Sequence, residues 1–154
     1  MRVYLMQHGK PVSKEEDPDK PLSEQGREDV ERVAQFLKRS HVAIDAIFHS
    51  GKTRARQTAE IVISRLNPGE TPKEKSDLSP MDDVKKISHE INKNEKNILI
   101  AGHLPHLGKL VSLLVAGSES VPVVSFQQGG VVCLQKAEDG GWTVSWMVIP
   151  DIVT

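Results

Sequence analysis

Val3, Tyr4, Leu5 and Met6 form a short apolar run that passes straight into Gln7, His8 and Gly9. A run of this length bounded by polar residues reads as a buried strand. It leaves His8 at the strand's C-terminal end. Residues 10–21 are rich in Pro, Asp, Lys and Glu and read as a solvated loop. Ser23 then has the chemistry of a helix N-cap. Val30, Val33, Ala34 and Leu37 recur at helical spacing, Phe36 widens the stripe, and the helix runs to about residue 40. Gly26 in its first turn lowers helix propensity, which implies close packing there.

The pattern repeats. Residues 44–49 form a second strand, followed by a helix from about residue 51 that carries Ala55, Ala59, Val62, Ile63 and Leu66 and stops at Asn67-Pro68-Gly69. Residues 70–80 read as a polar loop. A third helix is expected over 81–92, with Asp82 and Asp83 in its first turn and Val84, Ile87 and Ile91 facing inward. Residues 98–101 are a strand closing on Gly102-His103, and 106–116 a very apolar helix. The runs 130–135 and 142–148, split by Glu138-Asp139-Gly140-Gly141, predict an antiparallel hairpin. Trp142 and Trp146, four apart in that last strand, are expected on one face. The alternation predicts a three-layer α/β/α sandwich with a mostly parallel sheet and an antiparallel edge hairpin.

The 154 residues suit a single domain, 1–154. Twenty Lys and Arg against 21 Asp and Glu leave a net charge of −1, so bulk electrostatics gives no reason to expect a nucleic-acid partner. No apolar run approaches the roughly 18 residues of a membrane span, and the N-terminus lacks the pattern of a secretory signal. One cysteine, Cys133, excludes an internal disulfide and suits a cytoplasmic location. It lies in the run Val131 to Leu134 and reads as a buried, inert thiol.

Three strand ends hold reactive groups: His8, Ser50 with Arg54 just beyond it, and His103. In open α/β sheets ligands bind outside the C-terminal ends of the strands. Two imidazoles and a guanidinium lack the carboxylates or thiolates of a typical zinc site. They suit an oxyanion, because Arg offers a planar fork of donors and helix N-termini add N–H groups. A neutral histidine can attack phosphorus while a second, protonated one stabilises the oxygens. Opposed demands on two imidazoles of ordinary pKa, about 6.5, predict a bell-shaped pH profile. His103 and His106 could be read as a metal pair, but Pro105 stands between them. His41, His49 and His89 fall in no motif and are expected at the surface or its boundary.

These motifs resemble the histidine phosphatase superfamily, and within it the small phosphohistidine phosphatases of the SixA type. Gln7-His8-Gly9 stands for the family's Arg-His-Gly, and Pro21-Leu22-Ser23-Glu24-Gln25-Gly26 for Pro-Leu-Thr-x-x-Gly. Ser50-Gly51-Lys52-Thr53-Arg54-Ala55-Arg56-Gln57-Thr58 matches Ser-Pro-x-x-Arg-Ala-x-Gln-Thr, and Gly102-His103-Leu104-Pro105 the late Gly/Ser-His-Leu-Pro. The resemblance spans essentially the whole chain and implies a phosphoglycerate mutase-like fold without large cap insertions. It implies that His8 is the phosphorylated nucleophile, that Arg54 and His103 hold the phosphoryl oxygens, and that the Leu104 N–H adds a donor. Gln7, Gly9, Lys10 and Ser50 complete the expected substrate contacts. No metal or other cofactor is implied. The family's larger members carry a Glu as proton donor, and Asp77 in Ser76-Asp77-Leu78-Ser79-Pro80 is the nearest match.

Gln7 departs from the pattern by removing a fixed positive charge. A charge-assisted hydrogen bond contributes about 1.5–3 kcal/mol, roughly 10- to 100-fold in rate or affinity. Lys10, two residues past His8, is the candidate to restore it. The expected activity is a metal-independent phosphatase for protein phosphohistidine. The alternatives are a phosphatase for small phosphate esters and a non-catalytic phosphate- or phosphoprotein-binding module. Neither a nucleic acid nor a membrane is expected as partner.

Overall fold

The first strand, β1 (Arg2–Gln7), lies inside a six-stranded sheet. The other elements of the computed structural model, which describes residues 1–153, follow in chain order. They are α1 (Glu24–Arg39), β2 (Ala46–His49), α2 (Thr53–Leu66), β3 (Lys73–Glu74), α3 (Lys85–Lys93), β4 (Ile98–Gly102), α4 (His106–Ala116), β5 (Val131–Lys136) and β6 (Trp142–Val148). The strand order is β3-β2-β4-β1-β5-β6. The ladders from β3 across to β1 are parallel, and β5 and β6 add an antiparallel margin. This is the expected α/β/α arrangement.

Alternation along the strands divides the core. Tyr4, Met6, Ile47, Leu99 and Cys133 pack with Val30, Val33, Leu37, Ala59 and Val62 of α1 and α2. Val3, Leu5, Ile98, Ile100 and Leu134 pack on the other face with Ile87, Ile91, Leu107, Leu110 and Leu114 of α3 and α4. Each fully buried Leu or Ile contributes about 1.5–3 kcal/mol. Ser23 caps α1: its backbone is extended and its Oγ accepts the Gly26 N–H at 3.0 Å. A Cβ on Gly26 would stand 2.1 Å from the Lys10 carbonyl oxygen, which explains a glycine in that first turn.

Four expectations need correction. First, α3 begins at Lys85, not residue 81. Asp82 Oδ2 accepts the Ser79 N–H and Asp83 Oδ1 the Lys85 N–H, both at 2.9 Å, and such local bonds compete with a helical backbone. Second, the polar loop contains β3, two exposed residues beside Phe48 and His49. Third, Trp142 and Trp146 lie on opposite faces, Trp142 toward α3 and α4 and Trp146 against Tyr4. A bulge between the Cys133 and Leu134 pairings breaks the alternation. Fourth, His49 is buried, and its Nδ1 accepts the Gly51 N–H at 3.0 Å.

Candidate active site

His8, Ser50 and His103 each stand one residue beyond a strand: β1, β2 and β4 respectively. Because β4 lies between β1 and β2, the three residues share one edge of the sheet, outside the C-terminal strand ends. The His8 N–H donates to the Gly102 carbonyl at 3.0 Å, extending the β1–β4 ladder past its end.

The His8 ring is held by its Nδ1, 2.7 Å from the Gly9 carbonyl oxygen. A carbonyl only accepts, so Nδ1 carries the proton and Nε2 keeps its lone pair. Arg54, in the first turn of α2, directs its Nε–H at that Nε2 from 3.3 Å. Helix and strand end are locked together: the Gly9 N–H donates to Thr58 Oγ1 at 3.0 Å, and the Thr58 hydroxyl donates to the Arg54 carbonyl at 2.8 Å. One helical turn after Arg54, Gln57 Oε1 accepts the Leu22 N–H at 2.7 Å. Gly9 is needed where it stands, since a Cβ there would meet Val30 Cγ2 at 2.8 Å and the Gly26 carbonyl at 3.0 Å.

His103 is buried at the exit of β4, its Nε2 2.6 Å from Ser50 Oγ and its Nδ1 without a partner. The His8 and His103 ring centres are 5.1 Å apart, tilted by 51°. Burial lowers the His8 pKa to about 4, opposed by the Gly9 carbonyl and assisted by the charges of Arg54 and Lys20. Burial lowers that of His103 to about 3, helped by positive charge at His8, Arg54, Lys52 and His106. Both rings are therefore neutral at pH 7. Burial also lowers the Arg54 pKa, but from so high a value that the guanidinium stays charged. Fixed positive charge beside two uncharged imidazoles makes an anion site. A dianion bound against His103 would favour its protonated form.

The remaining candidates have surroundings of their own. Gln7, the last residue of β1, is buried and pairs with Gly102 in the sheet, on the face shared by Val3 and Leu5. Leu104 follows His103 directly with an exposed side chain. The Lys10 side chain is exposed, while its carbonyl accepts both the N–H and the Oγ–H of Ser23 at 2.9 Å. Asp77 points elsewhere: its carboxylate pairs with Lys86 of α3 at 3.0 Å and accepts from Ser76 Oγ. The hydrogen bond from Lys86 and that cation's charge hold its pKa below the usual carboxylate range. His106 does not join His103: its Nε2–H donates to the Asp77 carbonyl at 2.8 Å, and the ring is buried. Among the described residues no cluster of three or more His, Cys, Asp or Glu could hold a metal ion. Cys133 is fully buried, which pushes its thiol pKa up.

Sequence reasoning passed over Thr58 and Gln57, although both stand in the quoted motif.

A sequence model of the histidine phosphatase superfamily (branch 1) matches residues 3–82. Over 155 aligned residues the chain is 30% identical to the phosphohistidine phosphatase SixA of Escherichia coli (strain K12), with 97% of this chain and 94% of the relative covered. The structure of the protein histidine phosphatase SixA complexed with tungstate superposes with a TM-score of 0.86, at 28% identity and 98% coverage of both chains. A phosphoglycerate mutase from Bacillus anthracis str. Sterne shares the fold, with a TM-score of 0.71 at 16% identity over 94% of this chain and 91% of its own.

Proposed function

The chain belongs to the histidine phosphatase superfamily, and we propose that it is a phosphohistidine phosphatase whose nucleophile is His8. The observation that carries this reading is the His8 ring itself. Its Nδ1–H is tied to the Gly9 carbonyl and its Nε2 lone pair faces Arg54, with the His103 ring 5.1 Å away.

In the first step the Nε2 lone pair forms a bond to phosphorus as the bond from phosphorus to the substrate's leaving atom breaks. Arg54, His103 and the Leu104 N–H hold the phosphoryl oxygens. Ser50 keeps His103 in place through the 2.6 Å contact. His103, protonated once the dianion is bound, stabilises the charge that develops. In the second step water attacks the phosphorus, the P–Nε2 bond breaks, and inorganic phosphate leaves with His8 regenerated.

The substrate reading rests on the leaving group. Among the described residues no carboxylate forms an ion pair or hydrogen bond with His8, Arg54 or His103, and Asp77 is engaged by Lys86. A site poor in acids suits an imidazole leaving group, which departs more easily than an alkoxide. The relative named a phosphohistidine phosphatase supports the same substrate, and the tungstate complex of a similar structure supports an oxyanion site. We read residues 1–154 as one such domain, acting in the cytoplasm, where a lone buried thiol is at ease. No helix among the described residues is long and apolar enough to cross a membrane.

The test compares turnover of a phosphohistidine-bearing protein, a small phosphoramidate and a simple phosphomonoester by the wild type and His8→Ala. The expected result is preference for the phosphohistidine protein, a phosphoryl group trapped on His8 after acid-free quenching, and loss of all but about a per cent of activity in the variant. Higher kcat/KM for the small ester would move the substrate to that class. Binding of every phosphate without turnover would make the protein a binding module.

A further inference from the structure

Gln7 leaves this site one fixed charge short of the pattern that its motifs resemble, and the Lys10 side chain is exposed. A different cation is built into the fold nearby. The loop after Lys10 returns on itself: Val12 N–H donates to the Pro21 carbonyl at 2.8 Å, and Pro11 bridges to Leu22. Leu22 is fastened to Gln57, one turn along α2 from Arg54, and packs where a Cβ on Gly9 would stand. Lys20, two residues before Leu22, is therefore carried on a loop that is fastened where Leu22 meets Gly9 and Gln57.

Lys20 is half-buried, and its ammonium makes no ion pair among the described residues. Its neighbour Asp17 offers a side-chain oxygen to the Asp19 N–H and a backbone carbonyl to the Lys20 N–H. Lys20 also holds a φ of 49°, in the left-handed region. Residues with a Cβ are strained there, and such strain gathers at ligand clamps. Burial lowers the His8 pKa most, and the charges of Arg54 and then Lys20 lower it further.

We propose that the Lys20 ammonium is a phosphate-binding group of this site and stands in for the positive charge that Gln7 does not provide. The proposal deepens the phosphatase reading and rests on it, since the anion it binds is the phosphoryl group transferred to His8. The contact is a point charge on a flexible stem, without the fork geometry of arginine.

The test is calorimetric binding of orthovanadate to the wild type, Lys20→Met, Lys20→Arg and Lys10→Met, at low and moderate salt. Lys20→Met keeps the aliphatic stem and removes the charge. It should weaken vanadate binding about 10-fold or more and flatten the salt dependence. Lys20→Arg should restore affinity to within about threefold, and Lys10→Met should stay within about twofold of wild type. The proposal is overturned if Lys20→Met binds within twofold of wild type, if Lys10→Met loses as much, or if Lys20→Arg fails to rescue. Binding is read apart from turnover, so a wild type that binds vanadate but hydrolyses nothing would reject the phosphatase reading and leave the Lys20 test standing.

Discussion

Arg54 Nε lies 3.3 Å from His8 Nε2, on the ring nitrogen opposite the one that the Gly9 carbonyl holds at 2.7 Å. A proton on Nε2 would end that hydrogen bond and set an imidazolium against a guanidinium. Geometry and charge together therefore keep the ring in the form able to attack phosphorus.

The first prediction follows from that pair. With pKa values of about 4 at His8 and about 3 at His103, neither ring of the free protein titrates near 6.5. NMR titration of the imidazole C–H resonances should show both unchanged between pH 5 and 8. The bell-shaped profile expected of two ordinary histidines then loses its basis in the free protein. Stability carries the same sign. An unfolded histidine binds its proton at about 6.5, so below that pH the unfolded chain holds more protons and is favoured. Stability should be full above about pH 6.5 and fall as the pH drops toward 4 and 3. A midpoint near 6.5 for His8 would contradict its burial.

Gly26→Ala tests the packing that joins α1 to the His8 turn. The new Cβ would stand 2.1 Å from the Lys10 carbonyl oxygen, which Ser23 also holds. Backbone cannot yield as a flexible side chain can. Despite the better helix propensity of alanine, the variant should lose about 1–3 kcal/mol. Denaturant melts measure this, and an equal or raised midpoint would show that the loop relaxes freely.

Much of this site was legible because each reactive residue ends an apolar run. His8, Ser50 and His103 follow buried strands, and an α/β alternation brings such ends to one edge. What escaped depended on contacts that no local pattern encodes. The hydrogen bond from the Leu22 N–H to Gln57, which fastens the loop to α2, is one such contact. β3 carries no apolar pattern because both its residues are exposed on a sheet edge. Trp146 changed faces through a one-residue bulge, to which strict alternation is blind. The start of α3 shifted because Asp82 and Asp83 bond to nearby N–H groups instead of opening the helix.

Asp77→Asn bears on the proton donor. Asp77 has a φ of 68°, which Asn tolerates well, so the backbone should be undisturbed. Its carboxylate faces Lys86, which keeps it ionised and a poor acid. For a phosphohistidine substrate kcat/KM should change by less than about threefold. A fall of about 100-fold, the scale of a lost general acid, would restore Asp77 to that role.

Gln7→Arg asks whether the site lacks a charge at all. Gln7 is buried at the end of β1, so a guanidinium there gains only if it reaches the bound anion. If Lys20 already provides the charge, Gln7→Arg should change vanadate affinity and kcat/KM by no more than about threefold in the wild-type background. In Lys20→Met the same substitution should recover about 10-fold or more, given about 1.5–3 kcal/mol for a charged contact. A double-mutant cycle measures the difference as a coupling between positions 7 and 20. The cycle between positions 7 and 10 should be additive if the proposal for Lys20 holds and the exposed Lys10 does not share the anion. Coupling at position 10 with additivity at position 20 would return the compensating role to Lys10. A fall in both affinity and rate for Gln7→Arg in every background would mean that Gln7 faces the core beside Val3 and Leu5 and never meets the phosphate.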